Sequence, residues 1–417
     1  MRRAERLRRV LPVSLVWFFY LGGLGLFFPY YSLYLSENVG LSGTEVGAVL
    51  AVLPLVGIFA QPFWGQVADR SGSRARVLVV LGLGASVGYT ALQLGDGFVS
   101  MLLLTAALAC FATPFMPNAV AVTLAVTRDV SRHAFGLTRV WGTIGFLVCV
   151  VSLPRLLDAF QTSRGLAAVP DGASEPGLAL MFPLTGGLVL TAALVARSIP
   201  RGSAVEERAA PGDWRQLTRH APYLRLLGFS LLAYLLLQGP MALFPVYVRA
   251  HGGSLATVSQ LWVPMLLLEI PLVALSGASL ERLGARGLLG IGVFAGGVRW
   301  AVCGFLPDSP LVYPLQALHG VVVAGLVIGG PLYVEAAVPE RLRSTGQNVL
   351  AMLGVSLGGI TSNLSAGYLL EHFGTDAPYR VGGIGAMLLG ALVWILLPRP
   401  SRPADAGGSG PSSGGSR

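Results

Sequence analysis

The chain of 417 residues contains no lysine and few charged residues of any kind. Charged side chains make up 12% of the sequence and hydrophobic ones 53%, whereas soluble domains carry about 25% charged residues. This composition excludes a soluble protein with an ordinary charged surface. Because all 29 basic residues are arginine, a phosphate-binding loop of the Walker type, which needs a lysine, is also excluded.

Cysteine is equally scarce. Cys110, Cys149 and Cys303 all lie in apolar stretches, which favours buried free thiols over disulfides. No spacing typical of a metal site occurs. Gly84–Gly88 and Gly354–Gly358 match a serine-nucleophile pattern, but no acid–histidine pair accompanies them. We therefore expect no metal, no cofactor and no enzyme activity. The net charge of +9 comes from basic loops and indicates no nucleic-acid partner.

Long hydrophobic runs, in contrast, fill the sequence. Twelve of them approach or exceed the roughly 20 residues that cross a bilayer as a helix. The predicted spans are residues 10–36, 44–69, 75–95, 98–127, 134–157, 179–198, 222–249, 256–281, 286–306, 310–336, 344–371 and 379–397. They predict an all-α membrane protein of twelve transmembrane helices in two six-helix bundles. The bundles cover residues 1–198 and 222–397, with a polar linker at 199–221 and a disordered tail at 398–417.

The arginines predict how the chain is oriented. Of the 29 arginines, 23 lie at the termini and in the loops of one predicted side, and four lie in the opposite loops. Because basic loops stay in the cytoplasm, both termini are expected there. We therefore expect a multi-pass protein of the bacterial cytoplasmic (inner) membrane.

The two halves of the sequence also repeat each other. Gly65–Arg74 and Gly277–Arg286 share glycines, an acid–arginine pair and a final arginine at an offset of 212 positions. Phe28–Tyr31 and Phe244–Tyr247 match at an offset of 216 positions. Six helices return a chain to the same side of the membrane, so parallel repeats related by an axis along the membrane normal are predicted.

The segment Gly65–Arg74 resembles the loop signature of the major facilitator superfamily. The resemblance implies two six-helix bundles that rock about a central cavity, in a protein that works as a monomer. It also implies that this loop latches one conformation. The residues expected to form the latch are Gly65, Asp69, Arg70, Gly72 and Arg74, with Gly277, Glu281 and Arg282 in the second copy.

Further segments resemble the branch that holds lactose permease and the 3-phenylpropionic acid transporters. They are Phe27–Tyr30, Gln61–Gly65, Arg139–Phe146, Glu269–Pro271, Arg299-Trp300 and Gln316–Gly320. The resemblance implies that Arg139 contacts substrate and that Glu269, Arg299 and His319 couple transport to protons. Two departures exist. Val322 stands where the sugar permease has a carboxylate, and Asn118 replaces the acidic partner of the helix 5 arginine.

Depth supports the same cluster independently. A charge at the bilayer centre costs about 3 kcal/mol or more on insertion scales, so it is seldom present without a use. At 1.5 Å per residue, Glu269 and Arg299 lie roughly 18–20 Å from one face and His319 about 14 Å from the other. We predict that protonation breaks a Glu269–Arg299 pair, with a static buried ion pair as the alternative. The further residues expected to contact substrate are Asn118, Tyr30, Trp141 and Trp300. Trp262 and Tyr234 are two more aromatics that could line the cavity.

These features predict a secondary transporter whose partners are a small organic solute, protons and the lipid bilayer. Because Arg139 and Arg299 outnumber Glu269 within the spans, proton-coupled symport of an organic anion, such as an aromatic carboxylate, is the first expectation. Symport of a neutral sugar or nucleoside, and export of hydrophobic compounds, are alternatives. A membrane sensor or scaffold that does not transport is an alternative from another class.

Overall fold

The computed structural model describes residues 3–128, 130, 134–166, 175–199, 217–274 and 283–399. Within these ranges eleven helices are long and apolar enough to cross a membrane. A twelfth consists of Ala377–Ala391 and, after a turn, Val393–Leu396. Residues 277–282 of the second loop copy, including Gly277, Glu281 and Arg282, lie outside the described residues. So do residues 200–216 of the predicted linker and residues 400–417 of the predicted tail.

The helices fall into two sets of six. The first half contains α1 (Arg9–Asn38), α2 (Gly43–Arg70), α3 (Arg74–Leu94), α4 (Phe98–Thr127), α5 (Ala134–Ser163) and α6 (Leu178–Ala196). The second half contains α7 (Ala221–Ala242, continued by Phe244–Ala250), α8 (Leu255–Ala274), α9 (Gly284–Phe305), α10 (Val312–Ala337), α11 (Thr345–Phe373) and α12 (Ala377–Ala391 with Val393–Leu396). The prediction of an all-α fold with twelve helices is confirmed.

The repeated Phe-Pro segments mark the same structural feature in both halves. Helical structure in α1 is interrupted after Phe27, and α7 is interrupted at Leu243. Pro29 and Pro245 lie at these breaks. Proline removes a backbone donor and clashes with the preceding turn, so it interrupts a long helix. The predicted spans 10–36 and 222–249 are therefore each made of more than one helical piece.

We call the side that carries Arg3 and Arg399 the terminal face, and the side that carries the turns at 39–42 and 251–254 the distal face. Within each half, glycines bring pairs of helices into backbone contact. A Cβ atom on Gly82 of α3 would lie 3.3 Å from the Ala193 Cα of α6, and one on Gly383 of α12 would lie 2.7 Å from the Ala301 Cα of α9. Such contacts between small residues replace the hydrophobic driving force that is missing between helices in lipid.

The two halves close together at the distal face and diverge towards the terminal face. Gly47 and Gly65 lie 18 residues apart on α2, which is five helical turns, so they point the same way. A Cβ on Gly47 would clash with the Asn363 carbonyl oxygen of α11 and lie 3.1 Å from the Gly367 Cα, whereas a Cβ on Gly65 would have nothing within 4 Å. The side of α2 that faces α11 is therefore closed distally and open at the terminal end.

An ion bridge seals the distal face. The Arg249 Nε of α7 donates to Glu37 Oε1 of α1 at 3.0 Å, and the Arg249 Nη2 donates to Glu175 Oε1 at 2.6 Å. The three side chains are only 10–16% exposed. Hydrogen bonds between charged groups in such a shielded place are stronger than neutral ones. The Arg249 bridge, formed by these three residues, therefore links the first half to the second.

Candidate functional site

The carboxylate of Glu269 lies in the middle of the molecule, where α8 of the second half packs against α5 of the first. Thr143 of α5 approaches it, with the hydroxyl donating to Glu269 Oε1 at 3.5 Å. Arg139 lies one helical turn before Thr143, close enough to attract the Glu269 carboxylate electrostatically but not within salt-bridge distance of it. The Arg139 guanidinium also stacks over the Trp17 ring of α1 at 4.7 Å. Glu269 thus places a charge on the boundary between the halves.

Arg299 occupies a different environment, inside the second half. Its side chain is 2% exposed. The Arg299 Nε donates to Gln316 Oε1 at 2.6 Å, and the Nη1 donates to His319 Nδ1 at 3.1 Å. The guanidinium also lies 4.0 Å from the centre of the Trp300 ring, a cation–π contact that gains strength in a site without water.

The expected Glu269–Arg299 pair is wrong for this conformation. Among the described residues, Arg299 has no carboxylate within salt-bridge distance, and its hydrogen bonds go to Gln316, His319 and two methionine sulfurs. The reason is geometric: α8 turns Glu269 towards Thr143 of α5, and Gln316 occupies the Arg299 Nε. Arg139 likewise forms no salt bridge among the described residues, and Glu269 of the other half is the acidic group that attracts it across the boundary.

Trp262 and Gly320 connect the two environments. A Cβ on Gly320 would lie 2.7 Å from the Glu269 backbone nitrogen, so only glycine allows α10 to approach α8 here. About two turns before Glu269, the Trp262 ring lies 6.2 Å from His319 and 5.1 Å from Phe146 of α5. A change in the packing around Glu269 can therefore alter the packing around His319 without a direct contact between the two side chains.

A cavity of about 160 Å³ opens beside Arg299 and His319. It lies between α7, α9 and α10. Its polar or aromatic lining consists of Tyr234, Gln238, Arg299, Trp300 and His319. Val322 lies on the same wall, at the position where the lactose permease resemblance leads one to look for a carboxylate. The indole N–H of Trp300 has no hydrogen-bond partner among the described residues, and an unpaired buried donor favours a bound ligand or water.

The remaining residues predicted to bind substrate lie elsewhere. Trp141 is 49% exposed on the apolar outer face of α5, and its position is 200° around the helix from Arg139. Asn118 is buried in α4, where its amide donates to the Pro114 carbonyl. Tyr30 is buried near the distal face, with its hydroxyl donating to the Val150 carbonyl of α5 at 2.9 Å. The structure therefore brings Trp300, but not these three, to the cavity.

The loop signature has the expected turn. Gly72 adopts a φ of +64°, a conformation that favours glycine. Arg74 Nη2 donates to Asp69 Oδ1 at 3.1 Å, and Arg70 is exposed at the end of α2. Gly65, which was also expected to belong to the latch, has open space beside it because the halves diverge at this end.

Several residues of this arrangement were missed by the sequence reasoning. Gln316 was seen only as part of a motif, and Thr143 only as a residue between Arg139 and Phe146. The Arg249 bridge was missed because its members come from three separate loops or helix ends. The available sequence signal was Arg249 itself, since it is one of only four arginines in the loops on the side opposite the termini.

Two six-helix halves that close on one side, open on the other and carry charges between them are the features of a secondary transporter. The chain belongs to the MFS_1 like family, whose model matches residues 10–381. It is a major facilitator protein embedded in the membrane by many helices.

Similar proteins include transporters of known and unknown solutes. A maltose permease from Geobacillus stearothermophilus is 28% identical over 402 residues, covering 94% of this chain and 95% of that protein. An uncharacterized transporter, YwbF, from Bacillus subtilis is 23% identical over 365 residues, covering 87% of each. The crystal structure of a variant of the nucleoside transporter NupG has a TM-score of 0.79 at 16% identity, covering 93% of this chain and 99% of that one.

Proposed function

We propose that this protein is a proton-coupled symporter of a neutral polyhydroxylated solute, a sugar or a nucleoside, and that it acts as a monomer. The observation that carries the proposal is the position of Glu269, a carboxylate of the second half that faces Arg139 and Thr143 of the first. A carboxylate at this boundary can exchange a proton as the halves separate and meet.

The charges within the spans favour a neutral solute over the organic anion that net charge alone suggested. Arg139 is balanced by Glu269 across the boundary. Arg299 is buried and occupied by Gln316 and His319. Arg299 is therefore not available to hold a carboxylate, and at the half-buried Arg139 an anionic solute would compete with Glu269. The similarity to a maltose permease and to a nucleoside transporter supports the same class of solute.

The cavity offers the groups that a polyhydroxylated solute needs. Tyr234 and Gln238 line it, and neither side chain forms a hydrogen bond to another described residue. The Trp300 indole N–H is also unpaired. Binding sites use a few convergent donors and acceptors on apolar walls to fix a ligand. Sugar or ribose hydroxyls would hydrogen-bond to these three side chains while one ring face packs on the Trp300 indole.

Coupling follows from where the proton is held. With Glu269 ionised, its attraction to Arg139 favours the approach of α8 to α5. Protonation removes that attraction and leaves a neutral acid, which crosses the low-dielectric boundary at smaller cost. His319 and Arg299 lie beside the solute cavity and also contact α8: His319 packs against Trp262, and Arg299 donates to the Met265 sulfur. Solute binding and proton exchange therefore act on the same pair of helices.

The arginine distribution assigns the terminal face to the cytoplasm under this proposal. The structure, closed distally by the Arg249 bridge and open at Gly65, then corresponds to an inward-facing conformation. Import would begin when the bridge opens and exposes the cavity from outside.

The test uses the purified full-length protein in proteoliposomes loaded with a pH-sensitive dye. Maltose, a nucleoside and an aromatic carboxylate are added separately, each with an inward proton gradient and without one. The proposal predicts acidification of the lumen with maltose or the nucleoside, at a solute-dependent rate. If only the carboxylate drives proton entry, the transported solute is an organic anion and the proposal of a neutral solute is wrong.

Solute counterflow without a gradient separates coupling from binding. Exchange of labelled maltose or nucleoside without any proton movement would contradict the symport proposal and indicate a uniporter. No exchange and no proton movement with any of the three solutes would contradict the proposed solute class. Protein reconstituted with Glu269→Gln serves as the reference for proton leak.

A further inference from the structure

A groove on the outside of the second half is not used by the transport site. It runs along α9 between ridges from α10 and α12 and has a volume of about 380 Å³. Its lining is apolar and rich in glycine, with Gly287, Ile291, Phe294 and Val298 from α9 and Trp394 from α12. The missing side chain at Gly287 leaves the groove floor open, because a Cβ there would meet only the Trp394 ring at 3.6 Å and Leu283 at 3.7 Å.

The length and direction of the groove match one leaflet of a bilayer. Gly287 and Val298 are eleven residues apart, about 16 Å along the helix, and half of the hydrocarbon core is about 15 Å thick. The rim residues Ile291, Phe294 and Trp394 point outwards and are 42–57% exposed. An apolar channel on the outside of spanning helices faces lipid, so an acyl chain is the occupant of matching shape and chemistry.

A positive charge marks the terminal end of this groove. The Arg286 guanidinium lies 4.4 Å from the centre of the Trp394 ring, and its Nη1 donates to the Leu397 carbonyl at 3.0 Å. None of the described carboxylates comes within salt-bridge distance of Arg286. Its other N–H groups make no hydrogen bond to a described residue and lie at the level of the lipid headgroups, where they can bind an anion.

The position of Arg286 in the helix strengthens the need for an anion. It lies in the first turn of α9, which begins at Gly284. The N-terminus of a helix carries a partial positive charge, so a cation there is unfavourable unless an anion is near. Arg225 adds a further positive charge in the same region, since it and Arg286 both act on Tyr333.

We propose that this groove binds one anionic phospholipid. Its phosphate is held by Arg286 and the first turn of α9, and one acyl chain lies along Gly287–Val298 against Trp394. The site is independent of the solute cavity, because it opens on the outer surface of α9 rather than between α7 and α10.

The test measures lipid retention by the full-length protein in detergent, using native mass spectrometry with added phosphatidylglycerol or phosphatidylcholine of identical chains. The protein is expected to retain one phosphatidylglycerol in preference to phosphatidylcholine. Arg286→Gln should weaken that retention about fivefold, the contribution expected of one arginine at an anionic lipid surface. Gly287→Leu should weaken retention of the same lipid by filling the groove while leaving the charge in place.

Matched variants keep this test specific. Arg164 is also exposed and stacks over an aromatic ring, Phe160, but it lies on the distal face, at the opposite end of the molecule from Arg286. Gly187 of α6 is exposed, and a Cβ there would have nothing within 4 Å. Arg164→Gln and Gly187→Leu should leave retention unchanged, and the melting temperature without added lipid checks the folding of all four variants.

Three results would overturn the proposal. Equal retention of both lipids by the unaltered protein would remove the headgroup preference. A loss with Arg164→Gln as large as that with Arg286→Gln would mean nonspecific surface charge. Displacement of the retained lipid by inorganic phosphate alone would mean a simple anion site in place of a lipid site.

Discussion

Arg139 and Arg299 are both arginines within membrane-spanning helices, but they differ in which half of the molecule satisfies them. Arg299 has its partners, Gln316 and His319, in its own half. Arg139 faces Glu269 of the other half. When two halves rock as rigid bodies, contacts within a half persist and contacts across the boundary change. The contrast indicates that the interaction of Glu269 with Arg139 changes with the conformation of the protein. Arg299, in contrast, stabilises the packing within its own half in every conformation.

The largest expected effect is loss of coupling at the boundary. Glu269→Gln cannot carry a proton, so proton-driven accumulation of solute should fall by about 100-fold or more, while energy-independent exchange continues. Uptake and counterflow in proteoliposomes measure the two quantities. Glu335→Gln, which alters an exposed carboxylate of α10, is the control and should accumulate solute normally. Retained accumulation in Glu269→Gln would remove this carboxylate from the coupling step.

Arg299 should matter more for stability than for coupling. Arg299→Met leaves Gln316 Oε1 and His319 Nδ1 without their buried donor, which costs about 1–3 kcal/mol in the free energy of unfolding. Reversible denaturation in mixed micelles measures it. Arg139→Met should cost less, because Glu269 keeps its contact with Thr143. If Arg139→Met were the more destabilising variant, the assignment of the two arginines to different roles would be reversed.

Loss of the Arg249 bridge should shift the equilibrium between conformations, which is a smaller effect. Arg249→Gln removes the charge that binds Glu37 and Glu175, a loss of about 1–2 kcal/mol for partly shielded charged hydrogen bonds. The outward-open population should rise roughly 5- to 30-fold. The measurement is the alkylation rate of Ser259→Cys, a buried position near the distal face, in a background lacking Cys110, Cys149 and Cys303.

The matched control for loss of the Arg249 bridge is Arg380→Gln. Arg380 pairs with Asp376 at 3.2 Å, and both residues belong to the second half, so their bond does not join the halves. Alkylation at residue 259 should not change. Equal acceleration by both variants would mean that general loss of distal charge, and not the link between halves, controls the opening.

The smallest effect is expected at the tryptophan on the outer face. Trp141→Leu should change solute affinity less than about twofold, because an apolar side chain on the lipid face is replaced by another. Trp300→Leu should weaken binding about tenfold through loss of ring packing and of the unpaired indole donor. Binding of labelled solute to the purified protein measures both. If Trp141→Leu weakened solute binding more than Trp300→Leu does, Trp141 would belong to the solute site.

Much of the fold could be predicted because lipid makes helix length and hydropathy decisive. The span predicted at 98–127 coincides with Phe98–Thr127, since polar loops bound it on both sides. The span predicted to end at residue 157 continues to Ser163, because a helix can extend beyond the apolar layer and hydropathy does not mark that extension.

The site was predictable only in part. Depth located Glu269, Arg299 and His319 in the middle of the membrane, but depth does not give the direction in which a side chain points. The rotation of α8 and the position of Gln316 decide that Glu269 faces Arg139 and not Arg299. Trp141 belongs to the resembling segment Arg139–Phe146 and was expected to line the cavity, but a helix separates residues two positions apart by 200°, so Trp141 points away from Arg139.

The most direct test of the central claim is a pair of double-mutant cycles on the free energy of unfolding. One cycle combines Glu269→Gln with Arg139→Gln, and the other combines Glu269→Gln with Arg299→Gln. A charge that joins the two halves predicts a coupling of about 1 kcal/mol or more in the first cycle and additivity within about 0.5 kcal/mol in the second. Coupling in the second cycle and additivity in the first would contradict this account.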